Sequence, residues 1–314
     1  MVDAHYTKSH RSPFSPGQNV ASRSATALMR FVHCSDVHIT ADYLKLPLLR
    51  LGWRRWVAFA ELTVGGRSRA YRQAPQTLAT IAREAKAHGA DHFILSGDLT
   101  AYALDSEFQG AREALGELVE DRTRCTIIPG NHDVYTPGSH RSGRFERYFG
   151  HLLHSDMPEH CREGAFPFVR LVGREAAVVG LLSARVPPVP GLAYGTVGPR
   201  QLEGLEALIK DPRLEGRAVF VVVHHAPLTA KGNPDRPSHG LRDAGALCRL
   251  LPGPRYAVLH GHIHQRYHHP ATDGRPHLFG AGSSTEAGHE GYWVIETSGG
   301  QVVGGAKHVP GVRG

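Results

Sequence analysis

Residues 126–135 read TIIPGNHDVY. A short β-branched run ends at Pro129-Gly130, and an amide, an imidazole and a carboxylate follow at once: Asn131, His132 and Asp133. Pro, Gly, Asn and Asp are ordinary turn formers, so alone this is a polar turn after a buried strand. Four other stretches repeat the arrangement: SDVH with Asp36 and His38, SGDLT with Asp98, VVHHAP with His224 and His225, and HGHIH with His262 and His264. Each follows a short apolar run. A lone D-x-H or His pair is commonly structural. Five such clusters at the C-terminal ends of strands mark the edge where α/β sheets bind ligands.

Working outward, RFVHCS, DHFILS and RCTIIPG read as strands, separated by helices at 71–88 and 105–120. Further strands are expected at 166–172, 176–182, 217–224, 255–260, 276–281 and 291–297, with helices at 199–210 and 240–251. Alternating β and α elements followed by several late strands predict an α/β fold with more than one sheet. Residues 1–28 are rich in Ser, Pro, Asn and Gly without periodicity and read as a disordered tail. Met29 stands directly before the first strand and offers an alternative start. From there to residue 314 no linker or repeat is evident, so one domain is expected.

The clusters supply imidazoles and carboxylates without thiolate, a donor set suited to Mn, Fe, Zn, Co or Ni rather than a calcium cage. On an extended segment a spacing of two points side chains the same way. Asp36 with His38, and His262 with His264, can then each aim a pair at one centre. A carboxylate can bridge two cations, and two metals roughly 3.5–4 Å apart can clamp an in-line displacement at phosphorus.

The ordered set D-x-H, G-D, G-N-H-D, H, G-H-x-H, from Asp36 to His264, resembles the calcineurin-like metallophosphoesterase superfamily. The resemblance implies a four-layer αββα sandwich of two mixed β-sheets flanked by helices, with a dinuclear metal centre at their top edge. It implies Asp36, His38 and His264 as ligands of one divalent ion, Asn131, His224 and His262 as ligands of the other, and Asp98 as the bridge. His132 is then the catalytic acid or oxyanion stabiliser and Asp133 a support for the loop. His224, the first of its pair, matches the family ligand, leaving His225 as an alternative ligand or a wall of the substrate pocket. The implied reaction is attack of a metal-bound hydroxide on the phosphorus of a phosphodiester, pyrophosphate or phosphomonoester. Cyclic-nucleotide phosphodiesterases share the full motif set. Some bacterial relatives hydrolyse the pyrophosphate bond of a UDP-linked diacylglucosamine in lipid A synthesis, under an insertion that caps the site. A non-catalytic scaffold is disfavoured, since no ligand position is substituted.

The net charge of +7 is uneven: residues 1–30 carry +3 and residues 45–72 carry +6, leaving −2 elsewhere. A near-neutral body offers no basic track for a duplex, so no nucleic-acid partner is expected. The basic insertion at about 44–70 includes LGWRRWVAFAEL, which reads either as a helix packing its Trp stripe on the domain or as a lid beside the metals. Its Trp and Arg residues suit an anionic lipid surface and make Arg54 and Arg55 candidate substrate contacts, joined by His239 before the last helix. The expected substrate is a small-molecule or lipid-linked phosphate ester. The remaining histidines outside the motifs are expected mostly at the surface. Cys34, Cys125, Cys161 and Cys248 form no C-x-x-C pair and read as free thiols. No apolar segment follows the basic N-terminus, and none is long enough to span a bilayer. The expected location is cytoplasmic, peripheral to the inner membrane if the insertion touches lipid.

Overall fold

Apolar runs become strands covered on both faces. β1 (Met29–Cys34), β2 (His92–Leu95) and β3 (Cys125–Ile127) are parallel; β10 (Tyr292–Ser298) and β11 (Gln301–His308) extend them antiparallel, in the order β11-β10-β1-β2-β3. β4 (Phe168–Val172), β5 (Ala176–Gly180), β6 (Ala218–Val222), β7 (Tyr256–His260), β8 (Arg266–His269) and β9 (His277–Ala281) form a second sheet ordered β4-β5-β6-β7-β9-β8. It is parallel through β5, β6, β7 and β9. This is a computed structural model describing residues 28–41, 67–134, 138, 141–186 and 192–311. The expected tail up to residue 27 and most of the basic insertion, including Arg54 and Arg55, lie outside the described residues.

Period-two alternation builds the layers. Phe220 and Val222 of β6 face the cluster shared with β1, where the Phe31 and Phe220 rings stand 4.4 Å apart. Val219 and Val221 face the other way, joining Leu205 and Leu208 of α5 (Pro199–Ile209) and Leu247 of α6 (Ala244–Arg249). α2 (Ala74–Ala87) and α3 (Asp105–Leu115) bring Leu78, Ile81, Phe108 and Ala111 to the first cluster. Two mixed sheets flanked by helices result, as expected from the motif order. α1 (Arg67–Ala70) leads into α2, and α4 (Arg144–Phe149) follows β3. Among the described residues no helix is long and apolar enough to cross a membrane.

Several boundaries differ from the sequence reading for local reasons. α2 begins at Ala74 rather than residue 71 because Pro75 is tolerated only in a first turn. α3 gives way to a 3₁₀ turn at Gly116, whose φ is 55°. The expected helix at 240–251 shrinks to α6, because the Asp243 carboxylate before it accepts from Val197 N, Gly198 N and Thr196 Oγ1 at 2.7–3.1 Å. β8 (RYHH) and β11 (QVVGGAKH) escape sequence reading because both are edge strands, which need no apolar run. The expectation of surface histidines also fails on β8, where the His268 ring stacks 4.0 Å from Phe279. All four cysteines are free thiols.

Candidate metal centre

Five turns carry the polar clusters, and their backbone conformation is the first finding. Among the described residues six non-glycine residues have positive φ: Asp36, His38, Asp98, Ala103, His262 and His264, between 46° and 73°. Five of the six belong to the motifs. A left-handed conformation costs such residues about 1–2 kcal/mol apiece, so the surroundings must hold them there. This corrects the expectation of extended segments: Asp36 and His38 converge through a left-handed turn, not by strand alternation. His262 and His264 do not share one centre but diverge to opposite halves of the cluster.

Long-range bonds hold the turns. The segment after β1 runs beside the segment after β2, with Asp36 N, His38 N and Ile39 N donating to Gly97, Asp98 and Leu99 carbonyls at 2.8–3.1 Å. His262 N donates to both Asp36 carboxylate oxygens at 2.9 and 3.1 Å. Gly130 and Gly261 permit this crowding: a Cβ on Gly130 would sit 2.2 Å from Asp98 Oδ1, and one on Gly261 2.1 Å from Asp36 Oδ2. A sixth loop, after β9, went unread in the sequence. Ser283 Oγ donates to Asp36 O at 2.8 Å, Thr285 Oγ1 to Val37 O at 2.6 Å, and Ser284 N to Ser35 O at 2.9 Å. Its signal, GSSTE directly after a strand, was the same as that of the other five.

The side chains gather in two groups. In one, His38 Nε2 lies 3.2 Å from His264 Nε2, and Asp36 Oδ1 lies 3.4 Å from His264 Nε2 and 3.9 Å from His38 Nε2. In the other, Asn131 Oδ1 stands 3.0 Å from His224 Nε2 and 3.1 Å from His262 Nδ1. Asp98 lies between them, with Oδ2 3.4 Å from His224 Nε2 and 3.9 Å from His38 Nε2. All seven expected ligands therefore come together. His132 joins the edge: it offers an atom within 4.8 Å of ligand atoms of His38 and Asp98, and its ring meets His38 edge-on at 4.9 Å. Its Nδ1 donates to Ala101 O at 2.8 Å and its backbone N–H to Asp98 Oδ1 at 2.8 Å.

The donor chemistry fits divalent cations. A carbonyl can only accept, so His224 Nδ1–H is committed to Ser96 O and His262 Nε2–H to His239 O, both at 2.9 Å. This leaves a lone pair on His262 Nδ1 facing Asn131 Oδ1, and sets His224 Nε2, where Asp98 favours positive charge, against Asn131 Oδ1 and Asp98. One proton cannot serve four converging acceptors; a cation can, and such outward N–H bonds to carbonyls are what orient metal-ligating imidazoles. Burial pushes His262 and His38 well below the ordinary imidazole pKa, keeping them neutral. Burial also opposes charge on His224, but Asp98 overrides it and raises that imidazole to about 9. At His264 burial is likewise outweighed, by Asp36 and Glu286, giving about 10. Glu286 Oε2 lies 3.6 Å from His264 Nδ1, and the Tyr71 hydroxyl 3.4 Å from the same atom.

Asp133 is buried behind the cluster and accepts from Leu99 N, Thr100 N, Gly130 N and Thr100 Oγ1 at 2.8–3.2 Å. Burial and the neighbouring Asp98 charge push its carboxyl up to about 7, while the four donors favour the ionised form. His225 is no pocket wall: it is fully buried, with Nδ1 at 2.8 Å from Ser183 Oγ and Nε2 at 3.1 Å from Ala193 O. Its ring packs 4.3 Å from His262 and backs the cluster. The His239 ring also lies 4.1 Å from that of His262, tilted by 33°, and lines a cavity of about 640 Å³ with Lys231, Arg236, His262 and His264.

The model of one protein family, the calcineurin-like phosphoesterases, matches residues 29–266. The chain belongs to that family. Among solved structures, this calcineurin-like phosphoesterase is similar to a dimetal phosphatase from Danio rerio at 14% identity, over 90% of this chain and 99% of that one, with a TM-score of 0.57. It is also similar to the purple acid phosphatase PPD1 of yellow lupin (Lupinus luteus) seeds, at 11% identity and a TM-score of 0.56, over 90% of this chain and 54% of that one. At such identities the likeness speaks to the fold. No curated protein sequence matches the chain. The family makes this calcineurin-like phosphoesterase a metal-dependent hydrolase of phosphoric esters, with a dinuclear divalent centre.

Proposed function

We propose that the cluster holds two divalent cations and hydrolyses a small or lipid-linked phosphodiester, pyrophosphate or phosphomonoester. Asp36, His38 and His264 hold one ion, Asn131, His224 and His262 the other, and Asp98 reaches both. The observation that carries this reading is the position of the Asp98 carboxylate, within 3.9 Å of His38 in one group and 3.4 Å of His224 in the other. When bound, such a pair supplies Lewis acidity toward the phosphoryl oxygens and a nucleophile at neutral pH. Mn, Fe, Zn, Co and Ni all suit this nitrogen and oxygen donor set.

The chain's own residues do the rest. His132 is fixed by its Nδ1–H bond to Ala101 O, so proton exchange with the leaving oxygen falls to Nε2. Asp133 ties the Gly130 turn to the Leu99–Thr100 turn and so fixes Asn131 relative to Asp98. The open cavity beside His262 and His264 favours an organic ester over free phosphate. The lipid-linked version rests on Trp53 and Trp56 among Arg50, Arg54 and Arg55 in the insertion.

The test is hydrolysis of bis(p-nitrophenyl) phosphate by protein reconstituted with Mn, Fe, Co, Ni or Zn. It is followed by a panel of cyclic nucleotides, glycerophosphodiesters, UDP-diacylglucosamine and monoesters. No turnover with any metal would overturn the catalytic reading in favour of a scaffold. Failure to float with anionic liposomes would remove the membrane version alone.

A further inference from the structure

We infer that the cavity beside His262 and His264 is a recognition subsite in which Lys231 and Arg236 read a second phosphate group on the substrate. This deepens the phosphoesterase reading above and rests on it. At about 640 Å³ the cavity is of small-molecule size and larger than a single phosphoryl group needs.

The wall that carries the two cations is pinned at both ends. At its start the Tyr267 hydroxyl donates to Leu228 O, and His269 Nε2 donates to Thr229 O at 3.0 Å. At its end Ala193 N donates to Ser238 O at 3.0 Å and Gly195 N to Gly240 O at 3.1 Å. Between these anchors Lys231 sits in a turn closed by Thr229 N to Asn233 O and Gly232 N to Thr229 O, both 2.8 Å. Arg236 heads a second turn, its carbonyl accepting from His239 N at 2.9 Å and Gly240 N at 2.8 Å. The backbone is held while both cationic side chains stay at the surface of the cavity.

The charge balance favours an anion. Asp235, the acidic residue of the cavity wall, is committed: Oδ1 accepts from Arg236 N at 2.7 Å and Oδ2 pairs with His239 Nδ1 at 2.6 Å. Among the described residues neither Lys231 nor Arg236 forms an ion pair with a carboxylate. Two such cations on one preformed wall, beside a centre that already neutralises the reacting phosphoryl group, suit a further anion on the same molecule. Two cations on the wall of a cavity of about 640 Å³ suit a compact phosphate, not an extended polyanion.

The experiment compares two esters that differ only in a distal phosphate, thymidine 5′-(p-nitrophenyl phosphate) and its 3′-phosphorylated form, with Mn-loaded protein. The expected kcat/KM ratio is about tenfold in favour of the phosphorylated ester at low ionic strength, shrinking with added salt. In the doubly substituted Lys231→Ala/Arg236→Ala variant the ratio falls toward one. A ratio near one in the unsubstituted protein, or an undiminished ratio in the variant, overturns the inference. If neither thymidine ester is hydrolysed while bis(p-nitrophenyl) phosphate is, the subsite is again refuted and the phosphoesterase reading stands. If none of the three is hydrolysed with Mn, Fe, Co, Ni or Zn, the phosphoesterase reading falls and takes the subsite with it.

Discussion

Replacing Asp133 by asparagine keeps the side-chain volume and removes a charge that four donors address. Oδ2 accepts from Leu99 N and Gly130 N; Oδ1 accepts from Thr100 N and Thr100 Oγ1. Asparagine retains one oxygen, so whichever oxygen becomes an NH₂ leaves two buried donors facing a third. At about 1–3 kcal/mol per unsatisfied buried group, the variant loses roughly 2–6 kcal/mol of stability. The damage is local as well as global, because Gly130 adjoins Asn131 and Leu99 adjoins Asp98. Loss of an outer support of this kind lowers metal affinity by about 10–100-fold. Urea unfolding without added metal measures the first effect, and calorimetric titration with Mn measures the second. An Asp133→Asn protein within about 0.5 kcal/mol of the parent in stability, with unchanged Mn affinity, would refute the role assigned to this carboxylate.

His132→Ala should lower turnover by about 10²–10⁴ while metal content, read by elemental analysis, stays the same; loss of metal would show that the ring acts as a ligand. Glu286→Gln should weaken Mn binding by about 10–100-fold through a loosened His264, with kcat at saturating Mn little changed; unchanged affinity would remove Glu286 from the centre. His92, at the start of β2 and bonded to Thr123 and Thr126, gives the pH prediction: burial, only partly offset by its bond to Thr123 O, lowers its pKa to about 3. An unfolded chain protonates this residue first as pH falls. Its contribution to stability is therefore full above about pH 6.5 and is lost at up to about 1.4 kcal/mol per pH unit as pH drops toward 3. His92→Gln should flatten the stability curve between about pH 6.5 and 5 by that slope, and an unchanged slope would contradict it.

Most of the buried strands, and the places where chemistry emerges, are legible in the residues alone. Runs such as FVHC and AVFVV bury both faces, and a polar cluster at the end of such a run is legible because adjacency is local. The edge strands β8 and β11 escaped because RYHH and QVVGGAKH carry no apolar run, unlike the edge strands β3 and β4. The loop at Ser283–Glu286 carried the right signal, Ser and Thr after a strand, but its partners lie at Ser35, Asp36 and Val37, nearly 250 residues away along the chain. How the ligands divide depends on contacts between segments far apart in the chain. His262 and His264 are two residues apart, yet one faces Asn131 and the other His38, because left-handed turns replace the extended backbone that periodicity assumes. Those turns are unfavourable in isolation. They exist because bonds from distant strands, Ser283 to Asp36 and the Asp36 carboxylate to His262 N, make every alternative worse.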